Sequence, residues 1–430
     1  MILRLTAIIL LAPCILFAAG VRTLTLDEAV SIAMEKNKSI ASAKEYINYL
    51  QGVYVEERSA ALPNASLYGK AFRNKDESTG SYVGSDTFSS YSAGVTVKQA
   101  LFTWGQVGAA IKVAQIGLKT GDEQLRMYQQ AVVRDVNVAF ADILLTKKLL
   151  EIAESNVRQR ERHYDEAKKR YDLGTATDYD VLSAKVALKN AYPDVITYKN
   201  DLVTAKDRLR FILSIDGEID AAGSLEQKIY STPDYDSLIK TASENRPELK
   251  DKRLMTDVYK EMIKIDSAGD KPRLDLSGGY DSTRLEGDDD KTLNTWNVGV
   301  TLSFNFFDGL KTSGKRSQAF SNLRRSKLDE LNTADSVSLD IRQAVSRVKE
   351  AAEIIDAAEG TVDEAAKLLD MAEKGFKFGV KTKLEVDDAE YNLRSAQVRL
   401  ARAYRDYSVQ YTNLLWSAGV LGEKEELVRK

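Results

Sequence analysis

"YDLGTATDYDVLSA" (residues 171–184) and "FKFGVKTKLEVDDA" (376–389) follow one pattern, about two hundred positions apart. Each runs from an aromatic residue to Gly three on, Thr three further, Val four further and Ala three after that. Gly174 and Gly379 sit where long helical patterns stop, and Gly ends helices because it takes the left-handed conformation at little cost. Thr177 and Thr382 follow, each placed to cap the N-terminus of a second helix. Each stretch therefore predicts the tight turn of an antiparallel helical hairpin.

The flanks support long coiled-coil helices. Before the second turn, Val348, Ala352, Ile355, Ala358, Val362, Ala365, Leu369, Ala372 and Phe376 recur by threes and fours. After it come Val386, Ala389, Leu393, Ala396, Leu400, Ala403, Tyr407, Gln410 and Leu414. The first copy repeats this with Val181, Ala184, Leu188, Ala191, Val195, Tyr198, Leu202, Ala205 and Leu209. Such a seam is the coiled-coil repeat, and its many alanines permit close approach. Residues 105–172 carry few breakers, so one helix of roughly 100 Å is expected there. Pro193 lies off its seam, where it is expected to kink the helix.

The duplication extends to the whole chain. "LDEAVSIAMEKNKSI" (26–40) matches "YDSLIKTASENRPEL" (235–249), and "ALPNASLYG" (61–69) matches "DKPRLDLSG" (270–278). "GVTVKQALFTWG" (94–105) matches "GVTLSFNFFDG" (299–309). Two structural repeats follow, 21–225 and 226–430, joined through the acidic, Gly-containing "SIDGEIDAAGSLEQ" (214–227). Each reads as two short helices, two strands and a long helical hairpin. The strands are expected at about 64–73, 90–100, 272–284 and 293–306, where apolar and polar residues alternate with period two. The clearest set is Trp296, Val298, Val300, Leu302, Phe304 and Phe306. These lengths suit strands that cross a membrane. The segments between paired strands, "NKDESTGSYVGSDTFSS" and "EGDDDKT", are polar.

Composition narrows the function. The chain has 430 residues, a formal net charge of −3, one His and one Cys. A charge so close to zero recruits no nucleic acid. One His163 and one Cys14 leave little for a metal site or a Cys/His catalytic pair, so no catalytic, metal or cofactor residues are assigned. Asp288–Asp290 offers carboxylates, which a solvated loop explains. Residues 1–20, "MILRLTAIILLAPCILFAAG", have a basic start, an apolar run and a small-residue end, and read as a secretory signal peptide. Pro13 stands before Cys14 where a lipoprotein signal has a small residue. Beyond this run no stretch approaches the ~20 apolar residues of a membrane helix.

Four strands cannot close a membrane barrel, which needs about eight. Three chains of four strands would supply twelve. The sequence resembles the TolC-type outer membrane efflux proteins over nearly all of the expected mature chain. The resemblance rests on the duplicated plan, "NRPEL" at 245–249, "LFTWG" and "FFDG" at strand-to-helix junctions, and both turn motifs. It implies a mainly α protein with membrane β: long antiparallel coiled coils plus four transmembrane strands per chain. A homotrimer would complete a 12-stranded barrel in outer membrane lipid and a helical tunnel in the periplasm of a Gram-negative-type cell. It implies a passive channel of an efflux pump or type I secretion system, working with a periplasmic adaptor and an inner-membrane transporter. It implies no enzymatic activity and no cofactor.

The family's gate residues fall on the turn motifs. Its basic residue, which pairs with an acid on a neighbouring chain, corresponds to Lys381, and the acid to Asp180. Lysine lacks arginine's bidentate fork, so a weaker, salt-sensitive latch is expected. The family's acidic ring at the entrance falls on Glu385 and Asp388, with Asp387 and Asp178 near enough to share the role. A family tyrosine is Phe376 here, which removes a hydrogen bond. Tyr171, Leu173, Gly174, Thr175, Phe378, Gly379 and Val380 are the adaptor-docking candidates. The alternative is an exported coiled-coil scaffold or adaptor without a pore, which would place its strands in a soluble sheet.

Overall fold

The computed structural model describes residues 21–76, 86–226, 229–231, 233–286 and 290–428. The expected signal peptide with Cys14, most of the loop between the first two strands, and Asp288 and Asp289 of the acidic loop lie outside them.

The element order is the same plan written twice. The first half runs β1 (Arg22–Leu24), α1 (Leu26–Lys36), α2 (Lys38–Ser59), β2 (Asn64–Asp76), β3 (Asp86–Phe102), α3 (Gln106–Asp172) and α4 (Asp178–Leu213). The second runs β4 (Ile219–Ala221), α5 (Tyr235–Asn245), α6 (Pro247–Ser267), β5 (Arg273–Glu286), β6 (Lys291–Ser303), α7 (Lys311–Lys377) and α8 (Lys383–Ser417). Helices α3 and α7 are 67 residues each, and α4 and α8 are 36 and 35. The short strands β1 and β4, which the periodicity does not predict, pair in parallel.

By contacts the chain forms two units. The first comprises Met1–Asn37, Val132–Ser231 and Ser346–Asn413. Its hairpins are held by the apolar seams. Ala153 and Val157 of α3 pack on Ala191 and Val195 of α4, while Ala372 of α7 packs on Val386 and Ala389 of α8. Every seam position expected on α4 is buried or half-buried. On α7 every expected seam position is likewise buried or half-buried, and Ala351 is buried beside the half-buried Ala352. Helix α4 continues through Pro193 without a break. Leu24, Ala29, Ala33, Leu209, Leu213 and Ile219 make up a further buried apolar set of this unit, where the Asn37 side-chain amide donates to the Ile212 carbonyl (2.8 Å).

The second unit comprises Lys38–Ala131, Thr232–Val345 and Leu414–Lys430. It contains one antiparallel sheet of order β2-β3-β5-β6. Register puts Leu67, Val95, Val97, Leu276, Tyr280, Trp296, Val298, Val300 and Leu302 on one face, because partners and alternate residues share a side. The opposite face carries Ser66, Tyr68, Lys70, Ser92, Thr96, Asp281, Thr283, Thr295 and Asn297. The polar face is internally bonded. Tyr68 Oη donates to Asp281 Oδ2 (2.6 Å), Thr283 donates to Asp281 Oδ1 (2.7 Å), and the Ser92 and Thr283 hydroxyls are 2.9 Å apart. The apolar face is bare: Leu67 is 79% exposed and Trp296 76%. Strand β6 ends at Ser303, short of the alternation's end at Phe306. The backbone turns there toward the left-handed pair Gly309 and Leu310 that starts α7, just as Trp104 and Gly105 precede α3. Among the described residues, no helix is long and apolar enough to cross a membrane.

Candidate functional site: the two hairpin tips

The two turns are built by identical hydrogen bonds. In the first, the Gly174 amide donates to the Tyr171 carbonyl (2.8 Å) and the Thr175 amide to the Arg170 carbonyl (2.8 Å). In the second, Gly379 donates to Phe376 (3.0 Å) and Val380 to Gly375 (2.8 Å). This is the Schellman arrangement, and φ is 73° at both glycines. The following helices begin with identical capping boxes. The Asp180 amide donates to Thr177 Oγ1 (3.2 Å) and the Thr177 amide to Asp180 Oδ2 (2.8 Å). The Glu385 amide donates to Thr382 Oγ1 (3.3 Å) and the Thr382 amide to Glu385 Oε2 (2.8 Å).

The candidate gate acids Asp180 and Glu385 thus occupy one position of the repeated motif. The Thr177 amide, then its hydroxyl, holds the Asp180 carboxyl below the usual range. The Glu385 carboxyl is pulled down to about 2, first by Lys381 and then by Thr382. Lys381 Nζ lies 2.6 Å from Glu385 Oε1. Within one chain, Lys381 is engaged by Glu385 and Asp180 by Thr177; the expected Lys381–Asp180 pair is one between neighbouring chains. Asp388 is exposed, while Asp387 is committed to Arg160 (2.8 Å) and Lys383 (3.1 Å). Of the two substitutes for the acidic ring, Asp387 is therefore already paired. Asp178 hydrogen-bonds the Tyr171 hydroxyl and raises it.

The docking candidates lie at the ends of the turns. Leu173 is 78% exposed, Phe378 83% and Val380 78%, with Tyr171, Gly174, Thr175 and Gly379 also exposed. Phe376 turns inward and packs with Leu369 on the Ala372–Val386–Ala389 cluster. The aromatic ring that stands where the family has a tyrosine therefore contributes packing.

Sequence reasoning missed two features. Gly375 seats the stem of Lys381: a Cβ there would lie 2.5 Å from Lys381 Cγ. The first copy has Arg170 at the equivalent position, so only the alignment of the two copies could have flagged it. The other feature is Glu390, whose side chain is 1% exposed. Its Oε1 receives Gln159 Nε2 (2.7 Å) and His163 Nε2 (2.7 Å) from α3, and its Oε2 faces Arg160 Nη2 in an ion pair of 3.2 Å. Glu390 directly follows the seam residue Ala389, a flanking position where coiled coils place interhelical ion pairs, and that spacing was the available signal. Among the described residues, no group of three or more His, Cys, Asp or Glu is placed to hold a metal.

The paired tips, duplicated halves and uncovered apolar sheet face are features of a channel-like class of protein, and comparison with known proteins agrees. The sequence model described as "Outer membrane efflux protein" matches residues 29–214 and 238–420. The chain belongs to that family. It is 25% identical over 412 residues to the outer membrane protein TolC of Vibrio cholerae, covering 93% of this chain and 92% of that one. It is 26% identical over 384 residues to the alkaline protease secretion protein AprF of Pseudomonas aeruginosa, covering 86% and 79%. Its fold matches the crystal structure of the Campylobacter jejuni CmeC outer membrane channel with a TM-score of 0.82 at 15% identity, over 93% of this chain and 86% of that chain.

Proposed function

We propose that three copies of this chain form a passive outer membrane channel that carries substrate from an inner-membrane transporter and a periplasmic adaptor to the exterior. The observation that carries this reading is the four-stranded sheet. Its apolar face is uncovered and its edge strands β2 and β6 have no further partner within it. In water such a sheet is an aggregation hazard. In a bilayer the apolar face meets lipid, and closure with neighbouring chains satisfies the edges. Three sheets supply twelve strands with the polar face inward. Residues 1–20 direct export and are then removed. The chain performs no catalysis of its own.

The tips act as the gate and the dock. Lys381 exchanges Glu385 for Asp180 of a neighbouring chain when the entrance closes. The choice between two carboxylates is possible because both sit at equivalent capping positions. Glu385 and Asp388 give the entrance a negative field that favours cations. The exposed Leu173, Phe378 and Val380 are apolar anchors of the kind that end-to-end helical contacts use.

Single-channel recording in planar bilayers tests the proposal. Wild-type trimers are expected to give small cation-selective openings, enlarged by Lys381→Ala. Large openings in both would retain the channel and remove the Lys381 latch. Silence from folded, membrane-inserted trimers would overturn the channel itself. Leu173→Ala is expected to abolish export in cells while leaving trimers intact; full export would place the dock elsewhere.

A further inference from the structure

The two faces of the sheet exchange character at the strand ends remote from the helices. On the apolar face each strand gives up its apolar residues there. Arg73 and Lys75 follow Ala71 on β2, and Ser89 and Thr87 lie beyond Tyr91 on β3. Ser282, Arg284 and Glu286 follow Tyr280 on β5, and Asn294 and Thr292 lie beyond Trp296 on β6. Arg284 is paired on that face with Glu286 (3.2 Å) and Asp290 (3.3 Å). On the polar face the same stretches gain one large apolar side chain per strand: Phe72, Phe88, Leu285 and Leu293. Register makes them neighbours. Phe72 and Leu285 both face Ser90, Phe88 is one alternate position from Ser90, and Leu293 faces Thr283, one alternate position from Leu285. Diagonal side chains of this kind lie about 7–8 Å apart, within reach of aromatic rings. Phe72 and Leu293 are exposed, and Phe88 and Leu285 are half-buried.

Lipid does not account for this collar, because the collar lies on the face turned away from the bilayer. Apolar groups grouped in water mark a place where an apolar ligand gains by excluding that water. The charges beside the collar say which ligand. Lys291 directly faces Leu285, and Lys70 shares a row with Ser92, Thr283 and Leu293. Both lysines are exposed, and Lys70 Nζ lies 4.8 Å over the Tyr68 ring. Among the described side chains of this face, the acids Asp281 and Asp275 are already engaged, the first by Tyr68 and Thr283 and the second by Arg273 (3.0 Å). An apolar patch rimmed by lysines complements a molecule with an apolar body and one negative group.

We propose that Phe72, Phe88, Leu285 and Leu293, with Lys70 and Lys291, form a binding subsite for amphipathic anions at the exit of the lumen. The apolar body lies on the collar, and a carboxylate, sulfate or sulfonate group meets a lysine. The inference rests on the channel reading above, which turns this face to the lumen and this end of the sheet to the exterior. The subsite is separate from the hairpin tips and repeats in each of the three chains.

The test is single-channel recording on purified trimers with 8-anilinonaphthalene-1-sulfonate added on the barrel side. The probe is expected to block the current transiently, and its uncharged analogue N-phenyl-1-naphthylamine to dwell for a shorter time. Phe72→Ser and Leu285→Ser are each expected to shorten the sulfonate dwell about tenfold, the scale of one lost apolar contact. Lys291→Gln keeps the collar and is expected to shorten it about threefold, as suits a charge pair in contact with water. Equal dwells for the two probes would overturn the anion assignment, and that comparison needs only the wild type, so it stands even if a variant fails to assemble. A conducting wild type that the sulfonate never blocks would overturn the subsite, as would dwells that the three variants leave unchanged. A larger conductance in Phe72→Ser with an unchanged dwell would mean that the collar is filled by the chain itself, and would also overturn it. A wild type that never conducts would instead overturn the channel reading.

Discussion

Gly379 and Lys381 show how much of the tip is decided by single side chains. At Gly379 φ is 73° and a Cβ would meet nothing within 4 Å, so the requirement is conformational and not steric. Gly379→Ala is expected to destabilise the turn by about 1 kcal/mol, and Gly379→Asn by less, because Asn tolerates the left-handed region. Chemical denaturation of the folded protein checks the order. Gly375→Ala acts differently: its methyl displaces the Lys381 stem, so it is expected to change conductance as Lys381→Ala does, with little change in trimer yield. Glu385 makes a pH prediction. Its carboxyl falls from 4.5 to about 2 on folding, so its contribution is full above 4.5 and is lost as pH drops toward 2. The Lys381–Glu385 pair is therefore expected to persist at pH 5. A titration of Glu385 side-chain carbon shifts with a midpoint near 4.5 would contradict the pairing.

At the scale of elements, helices and strands were legible to different degrees. The seam on α4 could be read residue by residue, since a helix with one apolar stripe has one way to bury it. Strands β2 and β3 extend beyond the alternation that announces them, because pairing continues into polar residues such as Lys75 and Thr87. Strand β6 stops early where the backbone must turn into α7. The two faces of the sheet yield a paired prediction. Val298→Arg puts a cation on the apolar face and is expected to cost about 2–4 kcal/mol of membrane stability near the bilayer midplane. Asn297→Arg, one residue away on the polar face, is expected to insert normally. Refolding of both variants into lipid vesicles, followed by urea titration, distinguishes them; equal effects would deny that one face meets lipid.

For the whole molecule, the unpartnered edges β2 and β6 are the decisive feature. A chain whose sheet ends in two open edges completes its hydrogen bonding only with further copies. Wild-type protein is expected to migrate as a trimer in unheated detergent samples and as a monomer after boiling, as strand closure makes a barrel resist denaturant. A monomer by light scattering in mild detergent, with native helix content, would argue for the pore-free scaffold instead.

The sequence by itself determined the duplicated plan, the hairpin turns, the coiled-coil seams and the position of the four long strands. These are local patterns of period and punctuation, and each is written within one short stretch. It also carried the family resemblance, because the order of those patterns is distinctive. Only the tertiary structure decided which charges are used and how. Asp387 and Asp388 are adjacent acids, yet one is paired with Arg160 and the other is exposed. Glu390 carries no sequence pattern of its own and is buried against residues more than two hundred positions away. The parallel pairing of β1 with β4 likewise joins the two halves through segments too short for any period to announce. Charge pairing and burial depend on which elements meet, and that is fixed by packing between distant segments rather than by the pattern along any one of them.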